Sequence, residues 1–208
     1  MKAALGLLCT GLLVTTAFAE DHGKLLISED FSQPVPSIQA GRAYTAKKGW
    51  RVLSGQWDFA GGALRGKELP EDGRSGFVVG YRVFKDAVIQ FDVKMDGCRQ
   101  VIFRIQDAVP EHICSVTLRS DGFTAQKDDH DHKGPDKAVP FGKAAAPIKA
   151  GEWKTVQVTL HGDRMTAAMD GHTLSGSDPL LAMEKATIEF VVTGESASFR
   201  NVRMWEGQ

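Results

Sequence analysis

Cysteine and tyrosine are scarce in this chain of 208 residues, with three and two copies. Three cysteines, one of them at position 9, exclude a small domain stapled by several disulfides. An excess of one charge is also missing, because 25 basic residues stand against 26 acidic ones. Such a balance leaves no electrostatic footprint for nucleic acid or for an anionic membrane surface. No apolar run after Val14 approaches the roughly 20 residues that a membrane helix requires. No repeat at the roughly 20–50-residue period of a solenoid is present, and no segment shows a convincing amphipathic helical period.

What the N-terminus does contain is Lys2, an apolar run from Ala3 to Val14, and Ala17-Phe18-Ala19 directly before Glu20-Asp21-His22. A charged start, a short apolar stretch and a small-x-small site form a secretory signal peptide. Residues 1–19 are therefore expected to be removed on export, leaving a secreted or periplasmic protein with one domain over 20–208.

Period-two alternation dominates that domain. Ala87, Ile89, Phe91, Val93 and Met95 share one side of a strand, with Val88, Gln90, Asp92 and Lys94 on the other. Val156/Val158/Leu160, Met165/Ala167/Met169 and Ile188/Phe190/Val192 repeat the pattern. Turn chemistry separates the runs at Gly61-Gly62, Asp96-Gly97, Asp121-Gly122, Gly162-Asp163 and Asp170-Gly171. About a dozen short strands with glycine-rich turns predict an all-β fold, an antiparallel two-sheet sandwich. Asp96-Gly97-Cys98 is expected to close a hairpin between Asp86–Met95 and Arg99–Gln106. Cys98 at its tip and Cys114 in the next strand would then lie roughly 15–20 Å apart, too far for a disulfide. Residues 128–150 break the rhythm and predict a charged surface loop.

If that hairpin forms, Gln90 and Asp92 lie beside Arg104, with Gln157 extending the row. A carboxylate, two amides and a guanidinium on one open face suit the hydroxyls of a sugar. The alternative is a solvated sheet face with one cross-strand ion pair. Asp128, His130 and His132 have the ligand types for a divalent ion, although the segment lacks the calcium-hand spacing. The same stretch also reads as a solvated charged loop that needs no cofactor. His22, His112, His161 and His172 sit in the tail or near turns, and no Ser-His-Asp or Cys-His set is legible.

Several segments, in order, resemble a known family. They are Asp30-Phe31, Gly49-Trp50, Gly55-Gln56-Trp57, Gly62-Ala63-Leu64-Arg65-Gly66, the run Phe84 to Asp92, Gly151-Glu152-Trp153-Lys154-Thr155 with Asp170-Gly171, and Phe199-Arg200-Asn201-Val202-Arg203. Together they resemble the secreted 3-keto-disaccharide hydrolase domains, whose sandwich is laminarin-G-like. The resemblance implies that the all-β, antiparallel two-sheet sandwich is a jelly roll of the concanavalin A-like lectin/glucanase type, with a carbohydrate, an oligosaccharide or envelope glycan, as partner. Hydrolase-like members carry Asn-Ser-Gly before the strand that ends in Arg, Glu-x-Gln on the following strand, and Gln-Asp-His near the end. Here those places read Gly97-Cys98-Arg99 with Arg104 kept, His112-Ile113-Cys114-Ser115, and Phe190-Val191-Val192-Thr193-Gly194. The Glu-x-Asp-x-x-Glu run of laminarinase-type glycosidases is absent as well. Three readings follow: a sugar-binding sandwich without efficient hydrolysis, a glycosidase acting on 3-keto-disaccharides, and a protein-interaction module using the 128–150 segment. For the enzyme, Arg104 would polarise the ketone and Asp92, His130 or His132 would be the base.

Overall fold

The computed structural model describes residues 22–39 and 48–207. The expected signal peptide, 1–19, lies outside them. Thirteen strands follow in order: β1 (Leu25–Glu29), β2 (Gly49–Ser54), β3 (Gln56–Phe59), β4 (Leu64–Lys67), β5 (Gly76–Phe84), β6 (Ala87–Gln106), β7 (His112–Arg119), β8 (Gly122–Lys127), β9 (Val139–Ala144), β10 (Trp153–His161), β11 (Arg164–Met169), β12 (His172–Ser177) and β13 (Lys185–Glu206). Among the described residues, one α-helical turn, α1, spans Pro36–Gln39.

Two long strands organise everything else. β6 and β13 pair antiparallel along nearly their whole lengths, from Thr187↔Gln106 to Glu206↔Ala87. Both bend in the middle. The first half of β6 and the second half of β13 belong to one sheet, with β10, β11 and β12 on the β6 side and β1, β4 and β3 on the other. The remaining halves form the centre of a second sheet, ordered β9-β8-β7-β6-β13-β5-β2. An unbent β6 would hold Phe91 and Phe103 about 40 Å apart. Instead their ring centroids are 4.9 Å apart, because the strand folds over on its inward face and the two sheets lie against one another. Phe190 stacks on Phe199 at 4.4 Å in the same way along β13, and Trp50 stacks on Phe190. This aromatic stack is the middle of a core that the alternation in the sequence predicts residue by residue.

The bend corrects one expectation. Asp96-Gly97 does not reverse the chain: both residues face Ser196 of β13, two against one, which is a β-bulge. Gly97 has φ +87°, and the Glu195 carboxylate occupies the space that any side chain there would need. The hairpin fails because each half of β6 already has β13 as its antiparallel partner. The other four glycine-bearing turns do connect neighbouring strands, as expected. Within the expected 128–150 loop, Val139–Ala144 forms β9 on the edge of β8.

Candidate functional site

The bend places the residues expected to share a groove on opposite sides of the molecule. Gln90, Asp92 and Gln157 stay together on the outer face of the first sheet, with Gln90↔Gln157 and Asp92↔Thr155 in register. Arg104 is on the outer face of the second sheet. Asp92 is moreover spoken for: it accepts from Thr155 Oγ1 (2.7 Å), Asn201 Nδ2 (2.7 Å) and Arg200 Nε (3.3 Å). Asn201 sits at φ +52° in an irregular step of β13, so Asp92 fastens a strained backbone. Arg200 in turn lies 4.0 Å over the Trp153 ring.

Across the second sheet, one row of outward positions runs Gln126 (β8), Ser115 (β7), Arg104 (β6), Glu189 (β13), Val79 (β5) and Arg51 (β2). Arg104 Nη1 donates to Glu189 Oε2 at 3.1 Å, and Arg104 Nε lies 3.9 Å from Asp128 Oδ2. The Glu189 side chain is 3% exposed and that of Asp128 is 7%. Ser115 Oγ (2.8 Å) and Gln126 Nε2 (2.6 Å) donate to Asp128 Oδ1. Among the described residues, Arg104 Nε and Asp128 Oδ2 are buried without a hydrogen-bond partner. Burial pushes the Glu189 carboxyl up to about 7, outweighing the opposing effect of the Arg104 guanidinium beside it. A carboxyl that exchanges its proton near neutrality is suited to acid–base work.

Two loops rim this row. Asp107 Oδ1 accepts from Val109 and Glu111 N–H, and its Oδ2 is 2.9 Å from His130 Nε2. His132 Nε2 lies 3.2 Å from His112 Nδ1, and His112 N–H donates to the His130 carbonyl. Burial, then Arg104, lowers His112 to about 4, so it is neutral at pH 7. Asp136 ties the segment down through the buried Lys127 and the His130 N–H.

Asp128, His130 and His132 thus lie in one region but are not brought to a common point. Asp128 turns to Ser115 and Arg104, His130 to Asp107, and His132 to His112. Among the described residues, no three His, Cys, Asp or Glu side chains form a metal-binding group. The sequence reading missed Glu189, Asp107 and the role of His112. Glu189 looks like the solvent side of an alternating strand; the only hint of burial was Val191, apolar on the same side. Both cysteines of the domain are free, and burial raises Cys98 to about 11 and Cys114 upward as well, so neither is a thiolate at neutral pH.

A larger cleft of about 630 Å³ opens at the bend, lined by Asp58, Glu68, Arg99 and Glu195 among others. It does not coincide with the charge cluster. Asp58 is paired with Arg65, and Glu68 with Arg99 and the Gly194 N–H, so volume alone marks it, and the cluster carries the better chemistry.

A family model described as the 3-keto-alpha-glucoside-1,2-lyase-like domain matches residues 43–204. The chain belongs to that family. No curated protein matches its sequence. Among solved structures, a carbohydrate-binding module, CBM66 from Bacillus subtilis, is similar with TM-score 0.62 at 16% identity, over 76% of this chain and 96% of that one. A putative glycosyl hydrolase from Parabacteroides distasonis has TM-score 0.53 at 16% identity, over 86% and 100%. A β-glucanase from Bacillus licheniformis has TM-score 0.54 at 9% identity, over 89% and 99%. Identities this low establish the fold, a concanavalin A-like jelly roll used by carbohydrate-binding modules and glycosidases.

Proposed function

We propose that this family member is an exported carbohydrate-processing protein that acts on a 3-keto sugar at the Arg104 face. The observation that carries the reading is Arg104 itself: a guanidinium beside Glu189, with Nε unpartnered, at the edge of the His130–Asp107 pair. A ketone at C3 acidifies the proton on C2. With Nε2–H donated to Asp107, His130 has a lone pair at Nδ1 to remove that proton, and Asp107 holds the ring and stabilises the imidazolium. The electron pair of the C–H bond passes into the enolate of the C3 ketone; as the carbonyl re-forms, that pair makes the C1–C2 double bond, the glycosidic C1–O bond breaks, and the leaving oxygen takes the proton back from the His130 imidazolium. Arg104 stabilises the negative charge that develops on the ketone oxygen. Glu189 is a positioning residue, holding Arg104 on the sheet. Of the three candidate bases, Asp92 is on the wrong face and His132 is engaged with His112, which favours His130.

A second reading is sugar binding without turnover. It is favoured by strand β7, which reads His112-Ile113-Cys114-Ser115 where hydrolase-like members carry Glu-x-Gln. Incubation with a 3-keto-disaccharide, following release of the leaving alcohol and appearance of the conjugated unsaturated ketone, tests the first reading. Turnover that Arg104→Lys and His130→Ala abolish supports it. Saturable binding with no turnover supports the second, and neither result leaves the interaction module. N-terminal sequencing of the exported protein should begin at Glu20.

A further inference from the structure

We infer that His112 and His132 form a two-imidazole site for a borderline divalent ion of the copper, nickel and zinc class. Their facing nitrogens, Nδ1 and Nε2, are 3.2 Å apart, with the rings at 86°. Two metal–nitrogen bonds of about 2.0–2.1 Å spanning that gap enclose an angle of about 100°, between the octahedral and tetrahedral values. A hydrogen-bonded pair has the same spacing, so the surroundings decide.

Two features favour the ion. The two histidines are held from separate elements, His112 at the start of β7 with its N–H on the His130 carbonyl, and His132 in the segment anchored by Asp136. His132 has φ +55°, an uncommon conformation for a residue with a side chain, and it turns the ring back toward His112. The charges facing His112 do not add to this case: Arg104 acts on it more strongly than the opposing Asp128, and His130 and His132 act in the same sense as Arg104, so the case rests on how the two rings are held. With only two protein ligands, water fills the other positions, and these face solvent because His132 is exposed. Imidazole donors without a carboxylate cage select copper over nickel and zinc and discriminate against magnesium and calcium. The site shares His132 with the set Asp128, His130 and His132 expected from sequence but takes His112 in place of the other two, and it borders the sugar reading through the His112 N–H on the His130 carbonyl.

Chelator-treated protein, titrated calorimetrically at pH 7.5 with Cu²⁺, Ni²⁺, Zn²⁺, Mg²⁺ and Ca²⁺, tests it. One saturable site for the first three ions and none for the last two is expected. Both His132→Ala and His112→Ala should weaken binding about tenfold or more, while His161→Ala leaves it unchanged. The Cu²⁺ resonance spectrum should report two imidazole nitrogens. His132 is exposed in a loop, so its variant keeps the fold, which circular dichroism checks. Absence of saturable binding, or binding that survives His132→Ala, overturns the site.

Discussion

Asp92 and Glu189 are both outward-facing carboxylates on the two long strands, one on each sheet, and both lie against an arginine. Asp92 accepts from three protein donors and fastens the irregular step at Asn201, so its charge is consumed in holding backbone. Among the described residues Glu189 is hydrogen-bonded by Arg104 alone, is more deeply buried, and is shifted toward neutrality. The first sheet uses its polar residues as fasteners; the second leaves charge incompletely paired under two histidine-bearing loops. Incomplete pairing is costly, and a fold keeps it where chemistry or binding repays the cost.

Substitution should separate the two faces. The largest effect is expected from Arg104→Ala, which strands Glu189 in a buried position. A loss of about 3–5 kcal/mol in urea unfolding at neutral pH is expected, together with loss of any turnover. Asp92→Ala should cost about 1–3 kcal/mol through its unsatisfied donors, with turnover and sugar binding intact. If Asp92→Ala instead abolished sugar binding at unchanged stability, the contrast between the faces would fail.

A sharper test uses pH. The folded pKa of Glu189, about 7, stands above its unfolded value, so its contribution to stability is complete below pH 4.5 and is lost as pH rises through 7. His112 has the opposite sign: its folded value, about 4, is depressed, so its contribution holds above pH 6.5 and is lost as pH falls through 4. Unfolding curves of the unsubstituted chain minus those of Glu189→Gln should therefore decline between pH 4.5 and 7. A difference flat across that window would remove the case for an unusual carboxyl. Gln90→Ala and Gln157→Ala should be nearly silent, within about 0.5 kcal/mol, and should leave glycan binding unchanged.

Strand content was legible because a half-buried strand must alternate, and Ala87 to Met95 does so with Val88 as the one departure. Family membership was legible because its motif residues, such as Gly66 against the Trp57 ring and Trp50 in the aromatic stack, serve packing. The candidate site was legible only in part. Arg104 and the His130 segment stood out as charged residues, whereas Glu189 lay hidden in an apolar run and His112 resembled a turn residue. Asp107 gave no signal, since an aspartate beside a turn is ordinary until His130 is seen against it.

By itself, then, the sequence determined which side of each strand faces inward and which turns are sharp, since both depend on residues adjacent in the chain. Tertiary structure decided that Asp96-Gly97 bulges instead of turning back, because a glycine with positive φ permits either and only β13, arriving a hundred residues later, selects between them. That one choice separates Arg104 from Gln90 and Asp92 and gives it Glu189, Asp128 and the histidines as neighbours. Long-range pairing is invisible to local periodicity, so the partners of a buried charge appear only once the strands have assembled.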